Sequence, residues 1–95
     1  METQNIAFTE ANGIILSDPI IAQKDLVTIH LSMEKAGTVE LQRSITGNDW
    51  VAVKTINFPS QQLKSWEGTI AGCVPGQQLR LIFTNSKPMQ ITVLQ

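Results

Sequence analysis

At 95 residues the chain has room for one hydrophobic core and no second. Seven Lys and Arg against eight Asp and Glu leave a net charge of −1. Phosphate binding needs clustered cations, so a nucleic-acid partner is not expected. Charged residues reach only 16%, nine Gln and nine Thr stand in their place, and 42% apolar residues are too many for a disordered chain.

The N-terminus reads METQNIAFTE, with an acid at Glu2 and neither a basic cluster nor an apolar stretch behind it. No secretory signal is expected there, and Met1–Asn5 is a candidate flexible arm that orders on a neighbour. A weak strand lies near Asn5–Phe8, and a second around Gly13–Ser17 is broken by Asp18-Pro19. In Asp25–Met33, Val27, Ile29, Leu31 and Met33 share one face and Thr28, His30 and Ser32 the other, the pattern of a half-buried strand. After a tight turn at Lys35-Ala36-Gly37, Thr38–Ser44 alternates again, with Val39 and Leu41 opposite Glu40 and Gln42. Thr46-Gly47-Asn48-Asp49 is a hairpin loop, with Asp49 expected to bond nearby backbone N–H groups. The returning strand, Trp50–Ile56, places Val51 and Val53 on one face and Trp50, Ala52 and Lys54 on the reverse.

A short helical turn is expected over Ser60–Ser65, then a strand over Trp66–Ala71. Pro75-Gly76 opens the strand Gln78–Thr84, and Asn85-Ser86-Lys87-Pro88 turns the chain into Met89–Leu94. Eleven Ile, six Val and nine Thr favour a pleated surface over a helix. The expectation is all-β: a single antiparallel sandwich domain over residues 1–95, immunoglobulin-like or jelly-roll-like, with about seven or eight short strands. A small barrel is the alternative. No apolar run approaches the roughly 20 residues of a membrane-spanning helix, so no membrane partner is expected.

Chemistry has few places to reside. His30 is the only histidine, and Asp25 and Glu34 at the ends of its strand lack metal-ligand spacing. Cys73 is the only cysteine, which rules out an intrachain disulfide and points to a reducing compartment. A Cys73–His30 nucleophile would need a base within reach and an oxyanion hole, and Gly72–Gly76 has no recognised nucleophile turn. The carboxylates are scattered, and Gly47-Asn48-Asp49 falls short of a calcium loop. Trp50 and Trp66 are read as core or interface packing, with sugar stacking as the alternative. The expectation is a non-enzyme with no catalytic residue, metal or cofactor.

Residues 39–53 (VELQRSITGNDWVAV), 75–84 (PGQQLRLIFT) and 91–95 (ITVLQ) together resemble a group of small bacteriophage virion proteins of β-sandwich type. Leu41, Gln42, Arg43 and Ser44 match the first block of that pattern, and Gly47, Trp50 and Val53 the second. Pro75, Gly76, Arg80 and Leu81 match the third, and Val93 and Gln95 the close. Leu79 stands where the group has an aromatic residue, and the N-terminal third has no counterpart.

The resemblance implies a structural virion protein made in the host cytoplasm. The first choice is a capsid decoration or cement protein seated on a repeating protein lattice. A tail or head–tail accessory protein and a carbohydrate-binding module are the alternatives. The partners implied are major capsid or tail proteins and further copies of this chain in a homo-oligomer. Phe58, Leu63 and Trp66 are the candidate partner-contact residues, as large apolar anchors in or beside the least strand-like loop. The competing reading has the same side chains plugging the end of the sandwich.

Overall fold

The structure, a computed structural model, describes residues 2–58, 65–85 and 87–95. Ten strands form among them. They are β1 (Thr3–Asn5), β2 (Phe8–Ala11), β3 (Ile14–Ser17), β4 (Ile20–Ile21), β5 (Val27–Met33), β6 (Gly37–Ser44), β7 (Val51–Phe58), β8 (Ser65–Ile70), β9 (Gln78–Thr84) and β10 (Pro88–Leu94). The first sheet has the order β1-β10-β5-β8. The second runs β2-β3-β9-β6-β7, with β4 also paired to β9. All pairings are antiparallel, and the chain crosses repeatedly between sheets, so the fold is an antiparallel β-sandwich.

Two-residue alternation builds the core. Val27, Ile29, Leu31 and Met33 of β5 and Ile91 and Val93 of β10 point inward from the first sheet. Val39 and Leu41 of β6, Leu79, Leu81 and Phe83 of β9, and Ile15 and Ile20 meet them from the second. Apart from half-buried Ile82 of β9, the residues between them within β5, β6 and β9 are polar and partly solvated.

The early strand is interrupted where expected. Pro19 has no N–H to donate, and β3 and β4 are the two pieces left on either side of Asp18-Pro19. The gap would orphan a β9 amide. Buried Ser17 supplies the acceptor, its Oγ taking a hydrogen bond from the Leu81 N–H at 2.8 Å.

Three expectations change. Thr3–Asn5 is no free arm: it pairs with Leu94, Val93 and Thr92 as the edge strand of the first sheet. Glu2 and Gln95 extend this pairing, each N–H donating to the other's carbonyl at 2.9 and 3.1 Å. The strand count rises because β1 and β2 are separate elements and the early strand splits into β3 and β4.

The largest change is in β7. Leu41 of β6 faces Lys54, but Gln42 faces Ala52, so Val53 is the extra residue of a β-bulge. Beyond the bulge Ile56 and Phe58 turn into the core, while Val51 and Val53 are left exposed. The expected helical turn over Ser60–Ser65 falls on residues outside those described, except Ser65, which opens β8.

Trp66 lies on β8, the edge strand of the first sheet. It sits opposite Leu31 in the register and packs against the core, with the Lys54 ammonium 5.5 Å from its ring centroid. Its ring lies back along β8 over Gly68, where a Cβ would stand 2.5 Å from the ring carbons Cη2 and Cζ2. Gly68→Ala is therefore expected to displace the indole and to cost about 1–3 kcal/mol by overpacking. Urea unfolding and a red shift in tryptophan emission measure the two effects. Ser17→Ala leaves the Leu81 N–H buried without its acceptor and is expected to cost about 1–3 kcal/mol in the same unfolding assay.

Candidate functional site

The β6–β7 hairpin leaves aliphatic side chains in water. Ile45 is 85% exposed, Val51 63% and Val53 39%. With Arg43, Thr46 and Asp49 they line a shallow groove of about 310 Å³. The loop is held by hydroxyl acceptors. Ser44 Oγ takes the Gly47 N–H at 2.8 Å, and Thr46 Oγ1 takes those of Asn48 and Asp49 at 3.1 and 3.2 Å. Thr46 thus does what was expected of Asp49. Gly47, at φ 87°, supplies the positive φ that the turn requires. Arg43 anchors the base of the groove through a 3.5 Å hydrogen bond to the Gly72 carbonyl.

The outer face of the second sheet carries a connected row. Gln42 Nε2 donates to Glu40 Oε2 at 2.6 Å, and Arg80 Nε donates to Gln42 Oε1 at 2.7 Å. The Arg80 guanidinium then lies 4.1 Å from the centroid of the Trp50 ring. One face of Trp50 is thereby taken, and Trp66 packs inward against the core.

The outer face of the first sheet is polar and nearly uncharged. Thr28 and Thr69 share a hydrogen bond of 2.9 Å between their hydroxyls. His30 Nδ1 lies 3.3 Å from Glu67 Oε1. Asn5 Oδ1 accepts from Gln90 Nε2 at 3.1 Å and from Thr92 Oγ1 at 3.3 Å. A shallow depression of about 350 Å³ runs across this face.

His30 and Cys73 do not meet. His30 points outward from the first sheet, whereas Cys73 belongs to the core, its Sγ 3.7 Å from the Ile70 carbonyl. Burial pushes the Cys73 thiol above its ordinary value of 9.0, with Asp25 adding to the rise and Arg43 opposing it. Among the described residues no three His, Cys, Asp or Glu side chains lie close enough to hold a metal.

The three candidate contact residues separate. Phe58 is 1% exposed at the end of β7 and is a core side chain, so it offers a partner no surface. Trp66 is half-buried over Gly68. Leu63 lies outside the described residues. Ile45, Val51 and Val53 are exposed instead: Val51 pairs with Arg43 on the core side of the second sheet but stands beyond the buried layer. A signal was present: the apolar positions switch from odd (Val51, Val53) to even (Ile56, Phe58), which one strand face can do only through an inserted residue.

No protein-family model matches the chain, and no curated protein matches it. Among solved structures, a carbohydrate-binding module described as "CBM4 structure and function" is similar over 96% of this chain and 73% of its own. The TM-score is 0.45 and the identity 6%.

The raised thiol value predicts slow modification of Cys73. At pH 8 iodoacetamide is expected to label urea-unfolded protein readily and native protein at least tenfold more slowly, as read by mass spectrometry. The thiol is protonated in both states well below pH 9.0. Its contribution to folding is therefore constant there and declines only as pH rises through the unfolded and then the folded value.

Proposed function

We propose that this chain is a non-enzymatic structural component of a bacteriophage particle, a capsid decoration protein that seats on a repeating protein lattice as a homo-oligomer. The observation behind this reading is the hairpin end, where Ile45, Val51 and Val53 are held exposed by a bulge and a hydroxyl-capped loop. Aliphatic side chains kept in water by fixed backbone geometry, ringed by Arg43, Thr46 and Asp49, have the make-up of an interface centre and rim.

The motif blocks that resemble the virion proteins support the same reading. Gln42 of the first block, Trp50 of the second and Arg80 of the third are linked in one row beside the hairpin. Pro75 and Gly76 form the turn ahead of β9, with Gly76 at φ 92° and its N–H bonded to the Ala22 carbonyl at 2.8 Å. Placement in the tail or at the head–tail junction uses the same surface chemistry and remains the alternative within this class. A carbohydrate-binding module is the second reading, favoured by the polar outer face of the first sheet, where His30 and Glu67 are the titratable pair.

Val51→Asp and Ile45→Asp test the proposal. Both positions are solvated, so each variant is expected to keep its circular dichroism spectrum and lose less than about 0.5 kcal/mol of stability. Each is expected to weaken self-association and lattice binding by about 30-fold or more, the effect of losing a central anchor. Analytical ultracentrifugation and co-sedimentation with undecorated capsids or tail tubes measure it. Wild-type protein that stays monomeric at high concentration and binds neither assembly overturns the proposal.

A further inference from the structure

We propose that the outer face of the first sheet is a binding site for a neutral, hydroxyl-rich glycan, centred on His30 and Thr92. This inference rests on the carbohydrate-binding reading and gives it a site away from both tryptophans. Four strands side by side make a face roughly 14 Å across. Thr28, His30, Glu67, Thr69, Thr92 and Asn5 project from it; among the described residues the four strands carry no Lys or Arg, and Lys24 and Asp25 stand at the rim beside Thr28 and Thr69. Exposed sheet faces ordinarily mix Lys, Arg, Asp and Glu. Among the described residues of these strands His30 and Glu67 are the only titratable side chains and they face each other, so a phosphate-bearing or strongly acidic ligand meets no Lys or Arg at the centre of the face.

The hydrogen-bonding groups are already oriented. The 3.3 Å contact is a hydrogen bond when His30 Nδ1 carries the proton and Glu67 Oε1 accepts it, the tautomer in which Nε2 has a lone pair. His30 Nε2 is then an acceptor for a ligand hydroxyl. Asn5 Oδ1 accepts twice from neighbours, which turns its amide N–H groups toward other partners. Thr92 Oγ1 donates to Asn5 and so presents lone pairs. Donors and acceptors alternate over a few ångströms, and a sugar hydroxyl can serve either. The depression of about 350 Å³, lined by Thr28, His30, Glu67, Gln90 and Thr92 and by the aliphatic Leu94, gives the ligand a shallow seat. The face has no Trp, Tyr or Phe to stack on a ring, so a handful of hydrogen bonds must hold the ligand, with Kd on the order of 1 mM. Repetition on a lattice would raise the effective affinity of so weak a site.

The test is a ¹H–¹⁵N titration of the full chain with maltohexaose, cellohexaose and triacetylchitotriose, each to about 20 mM. At least one is expected to give saturable shifts confined to β1, β5, β8 and β10. Thr92→Lys, which lays a long charged chain across the seat, and His30→Ala are each expected to raise Kd at least fivefold with the fold intact. Val51→Asp is expected to leave the shifts unchanged, so the glycan site and hairpin docking stand or fall separately. Absence of saturable shifts with all three sugars overturns the inference. So do shifts that map to the hairpin, stronger binding of heparin than of any neutral probe, or this face responding only to a capsid or tail protein.

Discussion

Everything in this molecule follows from the burial of one aliphatic layer between two sheets. β5 and β10 present Val27, Ile29, Leu31, Ile91 and Val93 to Leu41, Leu79, Leu81 and Phe83 of β6 and β9. Each of these side chains reaches the layer only because its neighbours along the strand point the other way. The polar faces are therefore the second half of the same pattern. A shift of one residue in a central strand would expose the whole inner set, which fixes the registers of β5, β9 and β10.

Much of this was legible in the sequence. The strands over 78–84 and 38–44 lie where alternation puts them, because a half-buried strand leaves its signature in every second residue. Asp18-Pro19 marked the break between β3 and β4, since proline chemistry is local. The repair of that break by Ser17 was not legible, because it depends on which β9 amide the gap uncovers. The bulge at Val53 was also missed, and with it the face of Lys54, which pairs with buried Leu41 instead of lying on the reverse with Ala52. Period-two reasoning assumes an unbroken ladder, and one inserted residue reverses every face beyond it. Short β1 and β2 carry almost no buried residues, so they left no hydrophobic pattern to read.

The surfaces divide according to how each strand ends its contribution to the core. At the β6–β7 hairpin the second sheet continues past the aliphatic layer, and inward-type residues emerge into solvent as a groove. On the outer face of the first sheet the same backbone regularity sets short polar side chains in rows that satisfy one another. Arg43 reaches from the hairpin groove to the loop that holds Cys73, so the groove floor is tied to the core's edge. The glycine beneath Trp66 shows the opposite economy of space: one missing Cβ lets an indole lie flat against its own strand and pack on the core.

The paired backbone bonds between Glu2 and Gln95 have a geometric consequence. Gln95 also donates through Nε2 to the Ile21 carbonyl, and Ile21 pairs with Gln78, the residue facing Ser44 at the mouth of the hairpin loop. Additions spliced before Glu2 or after Gln95 would thus depart from one corner, on the groove's end of the molecule. A circular permutant could bridge that corner with a brief linker.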